Sequence, residues 1–264
     1  MKKYYKKILL NMIDEKEYLS DKFNRATNNK NVDARDHKNI PESWINIHFK
    51  TYPRLNKVKL VKVFPNRKTF LVNVLKNRRS TRTFSGEPIS INDLSYLLLH
   101  SSGIVDSGFG PDESKRAYPS AGARYPLEVY PLVINEGEGI KAGLYHYNVK
   151  ENCLETLLQE DLKHWLLEST GKFKPIIKAS VVFIITGVLD RTRVKYGDRG
   201  YRYVLMEAGH MSQNLLLLST ELGMVNLAVG GYIDSKVTEL LNLELVKEVP
   251  LYMIVVGGQC LNIV

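Results

Sequence analysis

Four stretches of this sequence carry reactive or ligand-binding residue types at close spacing. Arg78-Arg79-Ser80-Thr81-Arg82 puts three guanidinium groups and a serine hydroxyl within five positions. A guanidinium is a rigid fork of donors that matches phosphate oxygens, and the hydroxyl adds another donor. The stretch reads as a phosphate grip, or as a charged run closing the apolar segment Phe70–Leu75, where cations favour a helix C-terminus. Lys195-Tyr196-Gly197 sets an ammonium beside a phenol. The ammonium can hold part of the phenol's charge as phenolate, which fits the phenol to act as a base. Adjacent helical residues do not face each other, so a cooperating pair is expected on a loop. Gly197 and Gly200 mark such a loop, and the alternative is an exposed turn with ordinary charges.

The third stretch is Tyr118-Pro119-Ser120-Ala121-Gly122-Ala123-Arg124-Tyr125-Pro126. Small residues held between prolines let a backbone approach a flat ligand closely; a plain connection before a strand is the other reading. The fourth, Ala228-Val229-Gly230-Gly231, ends an apolar strand in two glycines whose bare N–H groups can face a ligand or simply finish a sheet. Other signals carry less. Gly108-Phe109-Gly110 runs into Pro111 and is no dinucleotide fingerprint. Glu207 and His210 form a single Glu-x-x-His pair where a di-iron site needs two, so His210 reads as a structural or interface residue. Cys153 and Cys260 form no CxxC, so neither a disulfide framework nor a metal site is expected, which fits a reducing cytoplasm.

The elements that must position these residues begin in earnest at Thr69. A short helix is expected over 69–76. Ser90 and Asp93 have capping-box spacing before Leu94, Leu97 and Leu98, with Gly103 as the stop. A Gly/Ser/Pro-rich loop follows over 101–126, then a strand over 129–134. The runs 144–148 and 153–157 form a hairpin about Lys150-Glu151-Asn152. Val181–Ile185 is a continuous apolar strand of a buried sheet. A helix over about 200–222 carries a stripe through Leu205, Ala208, Met211, Leu215, Leu218 and Leu222, stopped by Gly223. A strand over 225–229, a helix over 235–241 capped by Asp234, and a strand over 251–256 complete the set. Helices and strands mix without strict alternation, which makes the fold class α+β.

The chain has 264 residues, 44% of them hydrophobic, enough for a sizeable core. Residues 1–68 hold 17 basic and 7 acidic residues of the chain's 37 and 28, so the net charge of +9 resides there. This divides the chain into a basic N-terminal extension, 1–68, and a structured domain, 69–264. A short helix near 4–25 is plausible, and the stretch 40–54 looks irregular. The extension fits an acidic peptide, an anionic surface or plain solvation. No nucleic-acid motif is present, no run approaches 18 apolar residues, and Ile8-Leu9-Leu10 is too short for an export signal.

Taken in order, these motifs resemble the nitroreductase superfamily. Arg78-Arg79-Ser80-Thr81-Arg82-Thr83-Phe84 is similar to its opening motif, followed by the 119–126 loop, Glu207-Ala208-Gly209-His210 and Gly230-Gly231. With Lys195-Tyr196-Gly197 and Phe49–Pro53, the set resembles the SagB-type dehydrogenases of thiazole/oxazole-forming peptide maturases. The resemblance implies a nitroreductase-like α+β fold, a central sheet flanked by helices, and an interlocked homodimer holding flavin mononucleotide (FMN) at its interface. It implies that Arg78, Ser80 and Arg82 grip the phosphate and ribityl end, with the backbone of Arg79. Pro119, Ser120, Ala121 and Gly122 would line the isoalloxazine from the partner subunit, and Gly230 and Gly231 would face flavin N5 and O4. Lys195 and Tyr196 would be catalytic, aromatising thiazolines or oxazolines that a cyclodehydratase makes in a precursor peptide. Two departures stand out. Ala123 sits where related enzymes often carry an Asn, and no Lys or Arg follows the last strand through Gly257-Gly258-Gln259-Cys260 to Val264. The implied alternatives are a stand-alone NAD(P)H-dependent nitroreductase on small molecules and a non-catalytic scaffold.

Overall fold

The structure, a computed structural model, describes residues 18–28, 49–62, 69–106 and 115–258. Contacts divide the chain into two units, 1–40 and 41–264. In the first, Leu19–Ala26 forms helix α1, entered through a bond from the Tyr18 N–H to the Asp21 carboxylate. The remainder of the helix expected near 4–25, and Cys260, lie outside the described residues.

The second unit is built on one sheet. Its strands are β1 (Lys57–Lys59), β4 (Leu127–Val133), β5 (Gly143–Asn148), β6 (Cys153–Leu158), β7 (Val181–Val188), β8 (Val225–Val229) and β9 (Glu248–Gly257). They run in the order β1-β6-β5-β4-β7-β9-β8, with every neighbouring pair antiparallel. A separate ribbon pairs β2 (Ile104–Asp106) with β3 (Lys115–Arg116). β1 brings residues 49–62 into this unit, although the charge boundary at 68 assigned them to the extension.

Side chains alternate across a strand, so the continuous apolar run of β7 feeds two cores. Val181, Phe183 and Ile185 join the core that holds Val204, Met211 and Leu215. Val182 and Ile184 join the other, with Leu166, Ile176 and Val237. The first core is covered by α3 (Ile91–Ser102) and the long α6 (Gly200–Glu221). The second is covered by α4 (Lys163–Ser169) and α7 (Asp234–Leu240). The Ser90 cap of α3 forms as expected, its hydroxyl accepting from the Asp93 N–H at 3.0 Å. Two expectations shift. The buried stripe of α6 runs through Val204 rather than Leu205, which is 45% exposed. Asp234 is the first residue of α7, and no side chain caps that helix.

Candidate functional site

Helix α2 (Leu71–Asn77) stops before the arginine run. Arg78 leaves the helix with φ −57° and ψ 121°, and Ser80 makes a parallel bridge to Asn226 of β8. The Thr81 N–H donates to the Asn226 carbonyl at 2.9 Å. Asn226 is itself fixed, its amide donating to Leu216 O, Ser219 Oγ and Thr220 Oγ1 at 2.9–3.0 Å. The run is therefore an extended segment registered to the sheet, not the charged end of a helix. Extended backbone places alternate residues on one side, which groups Arg78, Ser80 and Arg82. Arg78 Nη1 lies 3.5 Å from Ser80 Oγ, whereas Arg79 folds back to donate to the Arg78 carbonyl at 2.8 Å.

Arg82 lines a cavity of about 250 Å³ with Thr170, Phe173 and the strand end Leu227–Gly231. A Cβ placed on Gly231 would meet nothing within 4 Å, and one on Gly230 only a Tyr252 ring carbon at 3.9 Å. The glycine backbone is thus open to a ligand beside a guanidinium. Cavities that enclose a whole cofactor run to ~300–1,000 Å³, so this one suits part of a long anionic ligand. Neither Pro119–Gly122 nor Lys195-Tyr196 lines it.

Those residues meet elsewhere. The turn 120–125 is tightly strapped: the Ser120 carbonyl accepts from the Ala123 N–H, and its hydroxyl accepts from the Tyr125 N–H at 2.8 Å. Gly122, Ala123 and Tyr125 all hold positive φ, at 62°, 52° and 45°, conformations that cost energy for residues other than glycine and cluster at functional sites. A Cβ on Gly122 would fall 2.6 Å from Tyr196 Oη and 3.0 Å from Lys195 Nζ. The turn and the Lys–Tyr pair thus converge at one glycine.

The pair does not lie on a loop. It ends helix α5 (Asp190–Tyr196), and a 3₁₀ turn over Gly197–Arg199 leads into α6. Tyr196 takes φ −123°, ψ 3°, and Gly197 takes φ 54°, ψ −145°. The departure from helical geometry at Tyr196 lets neighbouring side chains reach the same point. Lys195 Nζ stands 5.8 Å from the Tyr196 ring, and Tyr203 meets that ring edge-on at 5.0 Å.

Helix α5 is anchored by buried charge. Arg191 pairs ionically with Glu128 Oε1 at 2.5 Å and donates to the Tyr125 carbonyl at 3.1 Å, while its own carbonyl accepts from Arg124 Nε at 2.7 Å. Glu128 Oε2 then meets His146 Nε2 at 3.0 Å, and His146 Nδ1 meets Glu155 Oε2 at 2.8 Å. This chain crosses β4, β5 and β6 inside the protein. Burial pulls the His146 pKa down, but its bonds to Glu128 and Glu155 outweigh this and raise it. Burial pushes Glu128 up, but Arg191 and His146 prevail and hold its carboxyl at about 2. Two cations and two carboxylates thus compensate one another. Next to them Lys50 bonds Glu248 at 2.6 Å and Tyr130 Oη at 2.7 Å, and Tyr52 packs edge-on against His146 at 5.1 Å.

The residue composition did not single out Arg124, Arg191 or the Glu128–His146–Glu155 chain, because their partners are set by strand register. Glu207 was visible as a motif without a role. It is 3% exposed, and its Oε1 accepts from the Ala121 N–H at 2.9 Å. His210, one turn on, is exposed. Among the described residues no helix is long and apolar enough to cross a membrane.

An antiparallel sheet between helices, a guanidinium beside an open glycine pair and a strapped turn against a Lys–Tyr pair define a nitroreductase-type oxidoreductase scaffold. Residues 75–258 match the model of the nitroreductase family, and the chain belongs to that family. It is 37% identical over 188 residues to MJ1384 of Methanocaldococcus jannaschii, a protein named for the same family, covering 71% of this chain and 90% of that one. It is 33% identical over 162 residues to the microcin B17-processing protein McbC of Escherichia coli, covering 59% of this chain and 57% of McbC. Among solved structures it resembles a chain of the E. coli microcin synthetase McbBCD complex with truncated pro-MccB17 bound. There the TM-score is 0.60 and the identity 28%, over 76% of this chain and 79% of that chain.

Proposed function

We propose that this chain is an FMN-dependent dehydrogenase that oxidises thiazolines or oxazolines in a modified precursor peptide to thiazoles or oxazoles. The observation that carries the reading is the convergence of Tyr196 Oη and Lys195 Nζ on the backbone of Gly122. A flat ligand laid against that turn meets a base and an ammonium together.

The residues fit FMN in two halves. Arg78, Ser80 and Arg82 suit its phosphate and ribityl end, with the Arg79 backbone beside them. The open backbone at Gly230 and Gly231 suits the ring edge where negative charge develops. Pro119, Ser120, Ala121 and Gly122 suit the ring face. These halves line different surfaces of one chain, which supports a homodimer in which one copy offers the grip and the other the turn with its Lys–Tyr pair. Phe70, Leu71 and Val72, at 77%, 63% and 58% exposure, are apolar surface for such a contact. When bound, FMN supplies the hydride acceptor. Tyr196 takes the α-carbon proton of the azoline ring, with the Lys195 ammonium beside the phenol as charge accumulates. The ring loses one proton and one hydride and becomes aromatic. A base of this kind contributes ~10²–10⁴-fold.

The similarity to McbC and to the McbBCD chain supports a peptide substrate delivered by a cyclodehydratase partner. The test is the visible spectrum of the purified chain with FMN, followed by an azoline peptide under air. Bleaching and azole formation, lost in Lys195→Ala and Tyr196→Phe while the flavin stays bound, are expected. Full activity in both variants sinks the assignment. Bleaching by NAD(P)H alone, with no oxidation of the peptide, assigns a small-molecule reductase instead.

A further inference from the structure

Glu207 is a buried acid that the proposed chemistry does not use. It points from α6 into the back of the strapped turn, where Oε1 accepts from the Ala121 N–H at 2.9 Å. Its Oε2 is buried and has no hydrogen-bond partner among the described residues, and the same holds for the nearby Tyr118 hydroxyl. A buried polar atom left unpaired costs about 1–3 kcal/mol, so its retention beside a candidate site calls for a role. The next residue along the chain from Ala121 is Gly122, which packs on Tyr196 Oη and Lys195 Nζ.

We propose, resting on the reading of this site as a flavin site, that Glu207 is its positioning residue: the carboxyl clamps the Ser120–Gly122 turn against Lys195 and Tyr196. The clamp acts through the Ala121 N–H with the Ser120 hydroxyl beside it, and a charged acceptor makes such bonds roughly twice as strong as neutral ones. Protonation of Glu207 therefore loosens the turn. Burial pushes this carboxyl up to about 7, against the opposing Ala121 N–H, Ser120 hydroxyl and Arg116 charge. Arg116 of β3 and Tyr118 are the charged and titratable groups facing it from the packed segments, with Tyr203 one turn away on α6. The clamp engages as pH rises through neutrality.

Two readouts test this on the full chain. The first is amide exchange at Ala121, with Phe183 of β7 as an internal reference for global opening. Protection at Ala121 falls about tenfold or more in Glu207→Ala while Phe183 is unchanged, and Glu207→Gln, which keeps an acceptor oxygen, lies between. Equal protection in all three overturns the clamp. The second is FMN affinity by fluorescence quenching. In the wild type it tightens threefold or more from pH 6 to pH 8 with a midpoint near 7, and Glu207→Gln is flat. Parallel curves for the two proteins overturn the pH dependence. If no variant binds FMN at any pH, the flavin reading fails, and the exchange experiment alone decides the clamp. If Glu207→Ala does not fold, Glu207→Gln against wild type supplies both comparisons.

Discussion

His146→Leu is the most telling single change in this molecule. The imidazole is fully buried and faces a carboxylate from each ring nitrogen, Glu128 at 3.0 Å and Glu155 at 2.8 Å. Both contacts are attractive only when both nitrogens carry protons. Leucine removes the cation and the two donors but leaves the carboxylates inside the sheet. Deleting one member of a buried ionic network costs ~3–5 kcal/mol, since an uncompensated charge stays behind. Glu128 gives an upper scale, because Arg191, as well as His146, lowers its carboxyl. Its carboxyl lies at about 2 against an ordinary 4.5, a difference worth about 3 kcal/mol at neutral pH, at a site only 3% exposed. That stability is complete above the unfolded value and is lost as pH falls through about 2. The His146 contribution has the opposite sign, because its folded pKa is raised above 6.5. It is complete below 6.5 and is lost as pH rises through the raised value. Urea unfolding followed by far-UV circular dichroism, from pH 2 to pH 10, measures both. The expected result is a loss of about 3–5 kcal/mol at pH 7 and a weakened alkaline limb in His146→Leu. A combined His146→Leu/Glu155→Gln variant should lose less than the sum of the single changes, as members of one network do. A loss under ~1 kcal/mol with an unaltered alkaline limb refutes the reasoning.

Gly122→Ala should lower dehydrogenation more than stability. The left-handed backbone costs alanine ~1 kcal/mol, while its methyl group, placed 2.6 Å from Tyr196 Oη, displaces the base; rate and unfolding measured together separate these effects. Arg82→Ala should weaken FMN binding at least tenfold in a fluorescence titration, because a guanidinium–phosphate contact contributes about 1.5–3 kcal/mol; unchanged occupancy returns the run to a purely structural role. Lys50→Ala leaves the Glu248 carboxylate, 2.6 Å from the lost ammonium, without its cation inside the fold and should cost ~3 kcal/mol in the same urea assay.

Much of the scaffold could be read from the chain, because apolar runs and breakers act locally. Val181–Ile185 had to be a buried strand, and the Ser90 cap, Gly103 and the turn at Asn152 lie where their backbone chemistry puts them. The arginine run was read as a phosphate grip, but its geometry was not legible. Only the bridge to Asn226, almost 150 positions away, shows that the run is extended, with alternate residues on one side. Lys195-Tyr196 was read as a loop on the rule that helical neighbours diverge. The rule holds, and the structure satisfies it by ending the helix at Tyr196. The charge chain was invisible because Glu128, His146 and Glu155 are neighbours only through antiparallel register. For the same reason Lys50 and Tyr52, counted with the basic extension, pack half-buried against Glu248 and His146.

The bridge between Ser80 and Asn226 has a further consequence. β8 is the last strand of the sheet, so its outer side offers unpaired N–H and C=O groups to any passing strand. The arginine run lies along that side and takes one pair of these groups for itself, and its three positive charges repel the same run of another copy approaching edge to edge. At the opposite border, β1 is only three residues long, with exposed lysines at both ends. The segment proposed to hold the flavin phosphate is therefore also a guard against edge-to-edge association. Under that reading, loss of the cofactor and clumping of the empty protein begin with the same loosened stretch of chain.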